Sequence, residues 1–291
     1  MKQMDYYNRI QLALNYIEQH LHDALNIRDI AAQAHFSPFH FQRLFLAISG
    51  FSVHEYIRKR RLTEAADQLR HSNDSVLQVS LSFQYQSQEA FTRAFQSYTG
   101  LTPGKFRHTI TDFTGQSRMD FLHLKSQSKG ALHMNLPVMV QLNRTSIIGW
   151  EYPTNLNQDT HYQEIPGFYD DFGRNGRFMH IDGKTAPGMS YGIACRFQEN
   201  GDFSFIIGEQ VDENATPGEG YVRFEIPEGN YAEFKAFGGT ELVQQTRDYI
   251  YGTWLPESNY ERREGPDFEI TDVLRSTFPN DQRVKIYIPV D

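Results

Sequence analysis

Between residues 6 and 108 apolar side chains return at helical spacing, as at Ile10, Leu14, Ile17 and Leu21, and proline is nearly absent. Such a pattern buries one stripe of a 3.6-residue helix and wets the rest, so this half is expected to be all-α. After residue 135 the pattern changes to alternating or short apolar runs, VMVQL, SYGIACRF, FSFIIGEQV, YAEFKAF and RVKIYIPV, broken by glycine and proline. Two amphipathic stretches, Ile165–Arg174 and Thr240–Trp254, interrupt the runs. This half is therefore expected to be α+β, a mixed sheet with helices on one face. Between the halves, residues 109–135 shift to Ser, Gln, Lys, Gly and His and read as a linker. The expected organisation is multidomain: an N-terminal domain over 1–108, the linker, and a C-terminal domain over 136–291.

The helical half contains a repeat with a fixed offset of 50 residues: Ser37, Phe41, Arg43, Phe45, Gly50 and Tyr56 are answered by Ser87, Phe91, Arg93, Phe95, Gly100 and Phe106. In each copy a serine is placed to cap a helix and a glycine to close it in a left-handed conformation. The inward faces match at i, i+3, i+4 and i+7: Phe41, Leu44, Phe45 and Ile48, then Phe91, Ala94, Phe95 and Tyr98. A shorter helical segment precedes each copy, Ile27–Ala34 and Val76–Phe83, which is the layout of two helix-turn-helix units. The outward sets are Phe39, His40, Gln42 and Arg43 in the first, and Gln88, Glu89, Thr92, Arg93 and Gln96 in the second. Arginine offers a bidentate pair to guanine, glutamine one to adenine, and an aromatic ring contact to a thymine methyl, so the second helix of each unit is the expected reader of double-stranded DNA. The alternative for such faces is simple solvation on a bundle. A long helix from Ser52 to Arg70, with Leu62, Ala65, Ala66 and Leu69 inward, is placed to hold the readers about one DNA turn, roughly 34 Å, apart.

Charge sharpens this picture. The chain of 291 residues has a formal net charge of -8, yet residues 1–110 carry 12 basic and 9 acidic side chains against 16 and 27 in the rest. A basic portion that meets a polyanion and an acidic portion that stays off it fit that division. The single cysteine, Cys195, excludes an intramolecular disulfide and suits a reducing compartment. With no apolar leader and no run long enough for a bilayer, a cytoplasmic protein without membrane partners is expected. No local motif points to a metal, a phosphate loop or another cofactor.

The stretches SPFHFQRLF, RLTEAADQL, SQEAFTRAF and GLTPGKFR resemble the DNA-binding module of the AraC/XylS family of bacterial regulators, with that module placed first in the chain. The resemblance implies base contacts by Phe39, Gln42, Arg43, Gln88, Glu89, Thr92 and Arg93, and RNA polymerase as a further partner. Gln84-Tyr85 stands where the second unit of the family usually has a glycine-phenylalanine pair.

Residues 136–291 resemble the GyrI-like effector-binding domain through IPEGNYAEFKAFGG, YIYGTWLPESNY, PDFEI and KIYIPV. That resemblance implies two strand-helix-strand-strand units around a cleft that takes a small-molecule effector, hydrophobic and often cationic. It places the cleft's carboxylate at Glu269, with Tyr231, Phe234, Trp254 and Tyr260 as lining residues. An aromatic face and a carboxylate in an apolar cleft both favour a cation. For each aromatic, core packing is the alternative role, and for Glu269, which alternates along a strand, solvent is. Two other functions compete with a sensor: a small-molecule hydrolase using Glu269 and Tyr231, and an inhibitor module that binds another protein.

Overall fold

The computed structural model describes residues 6–109, 112–123, 136–155, 161–198 and 202–291. The chain divides into two compact units, Met1–Lys129 and Gly130–Asp291.

Among the described residues the first unit includes the helices α1 (Tyr6–Gln19), α2 (Ile27–Gln33), α3 (Pro38–Ser49), α4 (Val53–His71), α5 (Val76–Ser82), α6 (Gln88–Thr99) and α7 (Pro103–His108). Their ends are written locally. Ser37, Ser52, Ser75 and Ser87 each accept a hydrogen bond from a backbone N–H in the first turn. Gly50 and Gly100 close α3 and α6 at φ 75° and 82°, a region in which a Cβ is strained. The turn inside each helix-turn-helix unit also has a left-handed residue, His35 at φ 54° and Gln84 at φ 66°. Gln84 thus occupies a backbone conformation that glycine suits better, and its amide donates to the carbonyl of His22. The inward residues of α4 meet Val79, Phe83, Phe91, Phe95 and Phe106 in one core.

The expected linker is corrected over residues 112–123, which strap the helical unit. Phe113 packs edge-on against Tyr98 and Phe106, and the fully buried Phe121 packs edge-on against Phe45. Between them the Gln116 N–H donates to Thr63 Oγ1 at 3.0 Å and to Tyr98 Oη at 2.8 Å. The Met119 N–H donates to Tyr56 Oη at 3.2 Å and the Phe121 N–H to Gln11 Oε1 at 2.8 Å. A Cβ on Gly115 would lie 2.4 Å from the Thr63 methyl, so only glycine lets the strap pass that close. Residues 124–135 of the same stretch lie outside the described residues.

The second unit is an eight-stranded sheet, β1 (Val138–Leu142), β2 (Thr145–Asn155), β3 (Met189–Cys195), β4 (Asp202–Gln210), β5 (Tyr221–Ile226), β6 (Gly229–Gly238), β7 (Asp267–Asp272) and β8 (Gln282–Pro289). The order across it is β1-β6-β8-β7-β3-β4-β2-β5, and every ladder is antiparallel rather than mixed. Two strand-helix-strand-strand units are present, β2-α8-β3-β4 and β6-α9-β7-β8, with α8 at His161–Arg174 and α9 at Thr240–Tyr249. After α9 the chain makes a π turn, Ile250–Trp254, inside the stretch expected to be one helix. The strand before each unit pairs with the other unit: β1 with β6, β5 with β2. Only Asn143 and Arg144 separate β1 from β2, which would stand about 29 Å apart in a flat sheet, so the sheet curls. One face carries a buried cluster that includes Ile147, Tyr191, Ile193, Phe268, Tyr231 and Tyr287. The other carries α8 and α9, as the stacking of Phe168 on Tyr152 and the edge contact of Trp254 on Phe234 show.

Candidate functional site

The two expected DNA readers differ in this structure. On α6, Gln88, Glu89, Arg93 and Gln96 are exposed and Thr92 is half-buried, an open polar face around a helix whose apolar side holds Phe91 and Phe95. On α3, Arg43 is half-buried, but Phe39, His40 and Gln42 are buried at 6%, 4% and 4% exposure. Their expected outward placement is corrected. His40 is covered by aromatic neighbours, with Phe36 at 4.7 Å and Tyr6 at 5.9 Å between ring centroids. Phe39 lies beneath the Arg43 guanidinium, 5.2 Å from its centroid.

In the second unit strand register assembles a row on the helix-bearing face. Phe234 pairs with Ile286, Ile286 with Glu269, Glu269 with Gly192, Gly192 with Ile207, and Ile207 with Trp150. Directly paired residues share a face. Glu269 therefore stands mid-row with Gly192 beside it, and the missing side chain of Gly192 is filled from α8. The Tyr169 hydroxyl donates to Glu269 Oε1 at 2.6 Å, and a Cβ on Gly192 would lie 1.8 Å from that hydroxyl. Burial, then the adjacent carboxylate, push the Tyr169 phenol well above its ordinary range, so it keeps its proton and donates. From the last turn of α9, just before the π turn, the Arg247 guanidinium donates to Glu269 Oε2. The carboxylate expected to meet an effector in the cleft thus has a resident cation and a resident hydroxyl.

Two positions along β7, Asp267 repeats the arrangement. It accepts from the Tyr251 hydroxyl and from Arg262 at 2.8 Å. The two clusters differ in access: Arg262 and Asp267 side chains are 7% and 4% exposed, Arg247 and Glu269 28% and 12%. The Asp267 cluster is sealed, whereas solvent reaches Arg247. A depression of about 430 Å³ lined by Thr154, Glu164 and Asp202 lies elsewhere, at the end of β2 and β4. It contains none of the expected site residues.

The expected lining set divides. Phe234 and Trp254 lie on the Glu269 face, 4.9 Å apart in an edge contact, with the exposed Tyr260 stacked on Trp254. Tyr231 is corrected: it is fully buried in the cluster on the opposite face, against Phe268, its hydroxyl donating to the Pro227 carbonyl. A catalytic pair of Glu269 and Tyr231 is therefore not formed. Tyr169 and Arg247, absent from the expected set, both touch Glu269. Among the described residues there is no cluster of metal-ligating side chains and no helix long and apolar enough to cross a membrane.

Residues 139–290 match the integron-associated effector binding protein family, and residues 30–109 match a helix-turn-helix domain family. The right origin-binding protein of Escherichia coli K12 is 29% identical over 300 residues, covering 99% of both chains. The uncharacterised helix-turn-helix regulator YbfP of Bacillus subtilis is 38% identical over 122 residues, 42% of this chain and 41% of that one. Among solved structures, SAV2435 bound to tetraphenylphosphonium is 18% identical, covering 54% of this chain and 94% of that one with a TM-score of 0.47.

Proposed function

Because the chain belongs to the integron-associated effector binding protein family and carries an AraC-type DNA-binding module ahead of that domain, we propose that it reads specific DNA sites under control of a hydrophobic cationic effector bound at Glu269. The chain is an AraC-family DNA-binding transcription regulator with an effector-binding domain.

For the effector, the carrying observation is a carboxylate set mid-row between apolar strands, 12% exposed and already satisfied by a cation and a phenol. A site built to hold positive charge against a carboxylate suits a cationic group on an apolar body. Glu269→Gln keeps the volume and removes the charge. It is expected to weaken tetraphenylphosphonium about tenfold or more and to leave neutral triphenylphosphine oxide nearly unchanged, as read by titration calorimetry. Equal binding of the cation by both proteins would refute the cationic reading.

For DNA, the open face of α6 supports base reading by Gln88, Arg93 and Gln96. Arg93→Ala is expected to cost about 1–3 kcal/mol on the preferred duplex and to relax choice at one base pair. Affinity of the full chain is expected to fall steeply with salt as phosphate-bound counterions are released. A uniform loss across all sequences would make Arg93 a phosphate contact instead.

A further inference from the structure

We infer that Arg247 is the specificity-determining residue of the effector site: it is a built-in competitor that an effector must displace from Glu269. This rests on the reading of Glu269 as the cation-binding carboxylate and adds the residue that decides which cations succeed.

The contrast between the two carboxylate clusters carries the inference. Asp267 and Glu269 share a strand and a face, and each accepts from a tyrosine hydroxyl and from an arginine guanidinium. Arg262 is sealed at 7% exposure and also donates to the Gly265 carbonyl at 2.7 Å, so it is an anchor. Arg247 is 28% exposed and stands on the last turn of α9, where the helix gives way to the π turn Ile250–Trp254. Its guanidinium has water to return to when it leaves the carboxylate. π turns are rare insertions that cluster where a helix serves a site, and this one borders the arginine in question.

The energetics define the selection. An effector cation that takes the place of Arg247 must break one ion pair with Glu269 to make another, so the charge contribution is reduced but not abolished. Arg247 is tethered and competes at high effective concentration, whereas a free cation must also lose its translational freedom. A small hydrated cation therefore gains nothing by entering. A cation carrying several apolar rings gains the burial of those rings, which Arg247 cannot match. Arg247 sets a threshold of apolar bulk, and Glu269 sets the charge.

The test uses the full chain and tetraphenylphosphonium, with triphenylphosphine oxide as the neutral control. Arg247→Gln is expected to tighten the cation about tenfold or more and to leave the neutral compound unchanged, while Arg247→Lys, which keeps a tethered cation, stays near wild type. Unchanged or weaker binding by Arg247→Gln, with Glu269→Gln still weakened, overturns the competitor role and leaves the cation site standing. Unchanged binding by Glu269→Gln overturns the underlying reading itself. A second measurement needs no Gln variant to fold: in wild-type protein labelled at arginine, the Arg247 guanidinium signal, assigned by its loss in Arg247→Lys, is followed through the titration. It is expected to move to a solvent-exchanging position at saturation, and saturation with that signal unmoved also overturns the proposal.

Discussion

Replacing Arg60 by methionine is expected to destabilise the helical unit by about 3–5 kcal/mol, the cost of leaving a buried charge without its partner. Arg60 lies mid-way along α4 with its side chain 8% exposed, and Glu18 on α1 is equally buried. The guanidinium donates to Glu18 through Nε and one terminal nitrogen, at 3.0 and 2.9 Å, to Glu64 at 2.7 Å and to the Gln116 carbonyl at 2.8 Å. Methionine fills much of the space but strands the Glu18 carboxylate with the Tyr56 hydroxyl as its remaining donor of this group. It also removes the donor to the Gln116 carbonyl in the strap. Urea unfolding of the full chain, followed by helical circular dichroism, measures the loss. Adding Glu18→Leu to the variant is expected to recover much of it, because apolar replacement of both partners removes the stranded charge. A loss under about 1 kcal/mol would place this pair with exposed ones, whose contribution is small.

Phe234→Ala is expected to cost the effector unit about 3–5 kcal/mol, because it opens a cavity in a packed layer. Phe234 is 1% exposed and fixed by the edge contact with Trp254, whereas Tyr260, stacked on the far side of Trp254, is 38% exposed. Tyr260→Ala is expected to cost under about 1 kcal/mol, as exposed substitutions do. Thermal unfolding of both variants, alongside tetraphenylphosphonium titration, separates scaffold from pocket wall. If Phe234→Ala unfolds with the wild type yet loses the ligand, Phe234 lines the pocket and supports nothing.

What the sequence made legible was local. Helix starts at Ser37, Ser52 and Ser87 and ends at Gly50 and Gly100 are decided by groups within four residues, so a pattern suffices. The class of the second half was legible for the same reason, through alternation. The strap was not: its fold depends on two phenylalanines eight residues apart and on side chains from α1, α4 and α6 that catch its backbone N–H groups, which leave no period. The burial of His40 was hidden likewise, since Tyr6 covers it from 34 residues away. Tyr231 was legible in principle. It stands three residues from Phe234 on one strand, and an odd separation puts side chains on opposite faces. The partners of Glu269 left no such signal, for Tyr169 is 100 residues away and Arg247 is 22.

The exchange of β1 and β5 between the two halves of the sheet bears on how this unit comes to exist at all. Residues 138–210 cannot complete their ladders until residues 221–272 have arrived, because β2 waits for β5, β1 for β6 and β3 for β7. Loop-closure entropy is spent before these distant pairings repay it, which raises contact order and slows folding. Neither half is then a natural stopping point. During synthesis β1, β2 and β3 therefore each wait with an unpaired edge for a strand still to come.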